Sequence, residues 1–269
     1  MNIAILLTGQ LRTFNMVKYL HMNSLILKYN ADIFLGIDLS NTFQTESNKN
    51  SINKTNMENI NDAIQYFNPV DTFILDDFTE EFNNITTNSI NNFNYHNIVH
   101  FEGMLRQYYV VKNTYKMLIN NNKKYDLILR LRFDQFIFSD DVPIAPELYD
   151  STLNTILYNE KNTNILKNYT IDKKFIFDEL HDNDIYVLGF GDYKHYKYVN
   201  DQFFYHNNSI LIKMFEFYDN IVPLLKHCDE NNIGNLGAIY ECIFYIYLTK
   251  NNINFKKGNI SGIFIREYN

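Results

Sequence analysis

The stretch "YDLILRLRFDQFIF" at residues 125–138 decides how this chain is read. It is a strand-length apolar run, yet it carries two arginines and an aspartate. Strand side chains alternate between faces, so Ile128, Arg130, Arg132 and Asp134 share one side, about 6.5 Å apart at each step. Leu127, Leu129, Leu131 and Phe133 line the other side, which reads as core. A central parallel strand has both faces covered, and an unpaired guanidinium there costs several kcal/mol. Something anionic must therefore meet Arg130 and Arg132, and Asp134 alone does not neutralise both. One answer is an internal ion-pair network with acids such as Asp76, Asp77, Asp126 or Asp178. The other is that the carboxyl end of the strand opens into a crevice, where open α/β sheets bind ligands. There the planar forks of arginine suit phosphate oxygens, and Asp134 is a hard oxygen ligand for Mg²⁺ or Mn²⁺.

Outward from that run, elements alternate. "NIAILLTG" (2–9) reads as a first buried strand, followed by a helical face of Phe14, Val17, Leu20, Ser24 and Leu27. "ADIFLGIDL" (31–39) is a second strand. Residues 40–62 are polar and aperiodic, but "MENINDAIQYF" (57–67) predicts a helix ended by Pro69, and "VDTFILDDF" (70–78) a third strand. Residues 79–98 read as loop. From Glu102 to about Asn120, Leu105, Tyr108, Val111, Tyr115 and Leu118 recur at helical spacing. Strands alternating with helices imply right-handed βαβ units and a mainly parallel sheet. The second half predicts a strand at 184–190 and helices at 192–200, 209–227 and 237–250. The simplest organisation is one domain over 1–269, whose C-terminal third elaborates one edge of the sheet.

Composition narrows the function classes. A net charge of −7 argues against a long nucleic-acid partner, which clustered Lys and Arg would have to hold. It leaves room for a small nucleotide gripped by a few local cations. Cys228 and Cys242 form no metal-type pair and read as reduced, buried thiols of a cytosol-like compartment. The N-terminal apolar run lacks a basic flank and a small-residue cleavage site. No run reaches the roughly 18 apolar residues of a membrane span. The expectation is a cytoplasmic protein without a transmembrane segment.

Three islands of the sequence resemble a loose group of GT-A-type glycosyltransferase-like proteins of bacterial polysaccharide loci and giant DNA viruses. They are "LLTGQLRTF" (6–14), "YDLILRLRFD" (125–134) and "NDIYVLGFGDYKHY" (183–196). The resemblance implies an α/β fold, GT-A-like and Rossmann-type, with a C-terminal helical elaboration on the acceptor side. Residues 1–140 would form the nucleotide-binding half and 141–269 the acceptor-side half. It implies a UDP- or GDP-sugar donor and a glycan or other hydroxyl acceptor, in host cytoplasm or virion for a viral chain. By match of position, Thr8, Gly9, Gln10 and Arg12 would contact the nucleotide, and Asp134 would take the place of the last acid of the Asp-x-Asp metal motif. Arg132 stands where the first acid of that motif would be, so neutralisation of the diphosphate by Arg132 is an alternative to a divalent cation. Asp184, five residues before Gly189, is the first candidate for the general base, and Asp182 the second.

Other residues invite a role by type. Glu241 is a lone charge in the apolar segment "LGAIYECIFYIYL" and is a third candidate acid, with a helix-edge carboxylate as its plain reading. Asp38 closes the second strand and either contacts base or ribose or forms a turn. His181, His195, His206 and His227 lack metal-ligand spacing and read as surface or packing residues. Lys256, Lys257 and Arg266 form a basic tail. Two other functions fit the same residues: a non-catalytic nucleotide- or sugar-binding module, and a nucleotidyltransferase, against which the short "TGQLR" turn counts.

Overall fold

The structure, a computed structural model, describes residues 1–11, 14–39, 55–76, 79–84, 98–139, 149–150, 155–158, 174–193, 196–231 and 239–267. A seven-stranded, mostly parallel sheet forms its centre. Strand β1 (Ile3–Gly9) lies between β2 (Asp32–Asp38) and β4 (Leu127–Arg132), with β3 (Asp71–Leu75) outside β2. All three of these pairings are parallel. Beyond β4 come β11 (Phe204–His206), β8 (Asp184–Val187) and β12 (Asn254–Lys257). Here β11 runs antiparallel to both its neighbours, while β12 and β8 are parallel. This is a mixed α/β architecture compatible with a Rossmann-like fold. A second sheet has the order β5-β13-β7-β6, from Gln135–Ser139, Ile260–Glu267, Thr155–Tyr158 and Tyr149–Asp150.

The two faces of β4 divide the core. Leu127, Leu129 and Leu131 join one cluster with Ile5, Leu7 and Ile60, beneath α1 (Phe14–His21) and α3 (Met57–Phe67). Ile128 joins the opposite cluster, with Leu105, Tyr108, Val111, Tyr115 and Leu118 of α4 (Ile98–Asn120). Period-2 alternation thus held through the strand. The run does not continue straight, however: residues 133–134 turn, and "QFIFS" enters the second sheet as β5.

Other boundaries follow local chemistry. Asn56 caps α3 by accepting a hydrogen bond from the Asn59 amide at 2.8 Å, and Asn68 ends the helix at φ 47° just before Pro69. The first helix passes through a π-helical turn, Met22–Ile26, into a short α2 (Leu27–Tyr29). Its buried side carries Phe14, His21, Leu25 and Ile26, whereas Leu27 is 69% exposed. Successive steps of three residues drift about 60° round an α-helix, so the expected stripe ended on the wrong side. The helix expected at 192–200 is instead the hairpin β9 (Phe190–Tyr193) and β10 (Tyr196–Val199), because this aromatic and β-branched segment favours strands. The helix expected at 209–227 is two, α5 (Leu211–Asp219) and α6 (Ile221–Glu230), separated at Asn220. Pro223 sits in the first turn of the second, where its missing N–H costs nothing. The last helix, α7, is Ile239–Lys250. Cys228 and Cys242 are buried free thiols. Among the described residues, no helix is long and apolar enough to cross a membrane.

Candidate functional site at the carboxyl edge of the sheet

The chain leaves β1 towards β2 on one side and β4 towards β11 on the other. The gap between the carboxyl ends of β1 and β4 is the switch point where open sheets hold ligands. Strand β1 ends there at Thr8 and Gly9. Thr8 is buried and donates to the Leu131 carbonyl at 3.3 Å, which ties the two strand ends together. Gly9 adopts φ +118°, and nothing lies within 4 Å of where a Cβ would stand, so the turn needs glycine for its backbone alone. Gln10 follows and donates to Asp38 Oδ2 at 3.4 Å. Arg12 lies outside the described residues.

Asp38, at the end of β2, is 7% exposed and is bound by Arg106 of α4, through Nε at 3.0 Å and Nη2 at 2.9 Å. Arg106 also lies over the Phe82 ring, 5.2 Å from its centre. This buried pair was missed from sequence, because Arg106 sits between helical core positions and looks like an ordinary exposed-face residue. The next residue, Gln107, faces Arg132 Nη1 at 3.5 Å.

Arg132 and Asp134 close the end of β4. Arg132 donates from Nε to Asp134 Oδ1 at 2.8 Å and from Nη2 to Oδ2 at 2.9 Å. Behind this turn lies His21, 2% exposed, held by the Phe133 backbone and near the Asp134 charge. Burial pushes its imidazole down to about 4, against both of those influences. Nothing in the sequence set His21 apart from its helix.

Arg130 is 1% exposed and answers its charge differently. Its Nη1 donates to the carbonyls of Asp201, at 2.9 Å, and Gln202. Its Nε is buried with no hydrogen-bond partner among the described residues. Burial lowers its affinity for the proton, opposed by Tyr218 and Asp201. Asp201 precedes β11; because that strand is antiparallel, with Phe204 opposite Arg130, Asp201 falls on the carboxyl side of β4. Tyr108 of α4 donates to Asp201 Oδ2 at 2.9 Å. Burial raises the Asp201 carboxyl and Arg130 works against that rise. Glu241, in the first turn of α7, has Oε2 buried and without a hydrogen-bond partner among the described residues. Burial, and then the charge of Asp201, push Glu241 up to about 7.

The structure therefore brings Thr8, Gly9, Gln10, Asp38, Arg130, Arg132, Asp134 and Glu241 to one edge, and adds Arg106, Tyr108 and Asp201. Asp184 and Asp182 are placed elsewhere. Strand β8 runs parallel to β4, so Asp184, its first residue, stands at the amino edge, bound to Lys256 at 2.5 Å and Asn254 at 3.0 Å. Asp182 is exposed and accepts from Asn207 at 3.3 Å. The sequence matched an acid to a motif but did not supply the strand direction that carries it away from the crevice.

The expectation that the two strand arginines need a guest anion is also revised. Of the internal acids named from sequence, Asp76 accepts from Thr79, Asp126 from the Asn2 amide, and Asp178 from Tyr205; Asp77 is outside the described residues. Asp134, Asp201 and two backbone carbonyls meet the two arginines. Of the two, Arg130 is sealed in place, while the Arg132 side chain is 20% exposed and able to meet a ligand.

The residues present do not fit a resident divalent cation as arranged. Both Asp134 oxygens are on Arg132, and among the described residues no group of three His, Cys, Asp or Glu stands together for a metal. His206 is a packing residue, its Nε2 2.9 Å from the Tyr115 hydroxyl; His181 is exposed, and His195 lies outside the described residues. Compared with known protein families and with curated proteins, the chain matches none.

Proposed function

We propose that this chain is a glycosyltransferase of GT-A type, moving a sugar from a UDP- or GDP-sugar to a glycan or other hydroxyl acceptor. The observation that carries the reading is the meeting, at the β1–β4 switch point, of the Gly9 turn with the partly buried Arg132–Asp134 pair. The resemblance of "LLTGQLRTF" and "YDLILRLRFD" to GT-A-type proteins supports it, since the strand in each segment ends at that edge.

On this reading the backbone of Gly9 passes close to the nucleotide, and Thr8 and Gln10 flank it. Asp38, with one oxygen towards Gln10 and the other on Arg106, is placed for a ribose or base hydroxyl. Arg132 rotates from Asp134 onto the diphosphate, whose leaving charge its guanidinium neutralises. A divalent cation would add the same neutralisation; the bond of Asp134 to Arg132 supports Arg132 in that role. Asp201, Tyr108 and Glu241 border the acceptor side.

Isothermal titration of the full chain with UDP, GDP and their sugars, with and without Mn²⁺, tests the proposal. Binding of at least one nucleotide is expected, and failure of all of them removes the reading. One observation favours a second reading, a binding module without catalysis: the Arg132–Asp134 pair satisfies itself internally. Release of free nucleoside diphosphate from a bound sugar nucleotide separates the two, because a pure binder releases none.

A further inference from the structure

The acceptor side holds an arrangement that the donor site does not use. Asp201 is 5% exposed and fully engaged: its side chain takes the Tyr108 hydroxyl, and its carbonyl takes Arg130. The Tyr108 ring in turn contacts the Tyr240 ring edge-on, 6.2 Å between centres, and so joins the Asp201 loop to the first turn of α7. The next residue on that turn, Glu241, has a backbone hydrogen bond to its carboxyl, but its buried Oε2 has no donor among the described residues. A sealed arginine and a tyrosine thus hold one acid in place, and a second acid beside it keeps a free lone pair. That is the geometry of a base with no partner for this oxygen among the described residues.

We propose that Glu241 is the proton acceptor of the transfer and that Asp201 is its positioning residue, an inference that rests on the donor-site reading above. The acceptor hydroxyl gives its proton to Glu241 Oε2 as its oxygen bonds to the anomeric carbon. The bond from that carbon to the donor diphosphate breaks at the same centre, and its electron pair leaves on the diphosphate oxygen beside Arg132. The Asp201 carboxyl, adding to burial, raises Glu241 and so makes it the stronger base. The raised Glu241 carboxyl then ionises close to neutrality, where a general base works best. Proton removal of this kind gives inversion at the anomeric carbon.

Asp201, before β11, acts on Glu241, and Glu241 in turn raises Tyr108 on α4 and Tyr240 and Cys242 on its own helix. From β10, Lys197 lies over Tyr245, one turn further along α7. Burial is the larger cause of the raised Glu241 carboxyl, and Asp201 adds to it in the same direction; Arg130, beside Asp201, opposes the rise of the Asp201 carboxyl.

The test uses the full chain and water as acceptor, following release of UDP or GDP from the sugar nucleotide that binds. Glu241→Gln is expected to lose this hydrolysis by roughly a hundredfold or more, with nucleotide affinity changed less than about threefold. In the wild type the rate rises with pH through about 7. In Asp201→Asn, which removes the neighbouring charge, the rising limb moves to lower pH; loss of packing alone would lower the rate without moving the limb. A Glu241→Gln variant that binds nucleotide and hydrolyses donor normally overturns the inference and leaves the donor site standing. An unmoved limb in Asp201→Asn overturns the role of Asp201. Failure of the wild type to bind any nucleotide overturns the transferase reading, and this inference with it.

Discussion

Arg132 and Asp134 bind each other across the turn that ends β4, by two parallel hydrogen bonds of 2.8 and 2.9 Å. The pair occupies the groups that a diphosphate would use. Asp134→Asn removes the charge while keeping the shape, and Arg132 then holds a partly buried charge with a neutral partner. A loss of about 2 kcal/mol is expected in urea unfolding. Added pyrophosphate should stabilise this variant more than the wild type, because its guanidinium no longer has to leave a carboxylate. Equal stabilisation of both proteins would show that Arg132 does not meet phosphate.

Arg106 and Asp38 form the more deeply buried pair, with side chains 2% and 10% exposed. Removing one partner strands the other, so Arg106→Leu should cost about 3–5 kcal/mol. Asp38→Asn combined with Arg106→Leu should cost less than the sum of the single changes. A double-mutant cycle by chemical denaturation measures the coupling.

Glu241 predicts a conflict between stability and activity. Its folded-state carboxyl titrates at about 7 against an ordinary 4.5, so the folded protein holds this proton more tightly than the unfolded chain does. The wild type therefore loses stability as pH rises from 4.5 through 7, and Glu241→Gln does not. The variant should match the wild type below pH 4.5 and exceed it above pH 7, by about 2 kcal/mol after allowance for partial solvent contact. Denaturant midpoints of the two proteins at pH 4.5, 6 and 8 provide the comparison.

Gly36 tests the helix packing that brings Arg106 and Gln107 to the site. A Cβ there would overlap Thr114 Oγ1 and stand 2.8 Å from Val110 Cγ1, both on α4. Gly36→Ala should cost about 2 kcal/mol or more as the helix shifts from β2. Adding Thr114→Ala should return part of the lost thermal stability, and Val110 retains the remainder.

Much of this arrangement was legible in the residues. The continuous apolar runs at 3–9, 32–38 and 127–132 marked the central strands, because a strand covered on both faces must be apolar throughout. The spacing of Leu105, Tyr108, Val111, Tyr115 and Leu118 marked α4 down to its buried side. Alternation along β4 put Arg130 and Arg132 on one face. Where local signals were weaker, they misled: "DYKHYKYV" carries helical spacing and strand composition together, and hydrogen bonding to a partner strand decided for the hairpin.

By itself, then, the sequence determined which segments form the central strands and that Arg130 and Arg132 lie in one of them, since burial pattern and charge are properties of neighbouring positions. Only the tertiary structure decided who answers those charges. Asp201 is 71 residues from Arg130 in the chain, and Asp38 is 68 from Arg106. Strand direction brings the first acid to the carboxyl edge and takes Asp184 to the other one. A charge buried in a sheet requires a partner on energetic grounds alone, but which partner it meets is set by how the strands are ordered and which way each one runs.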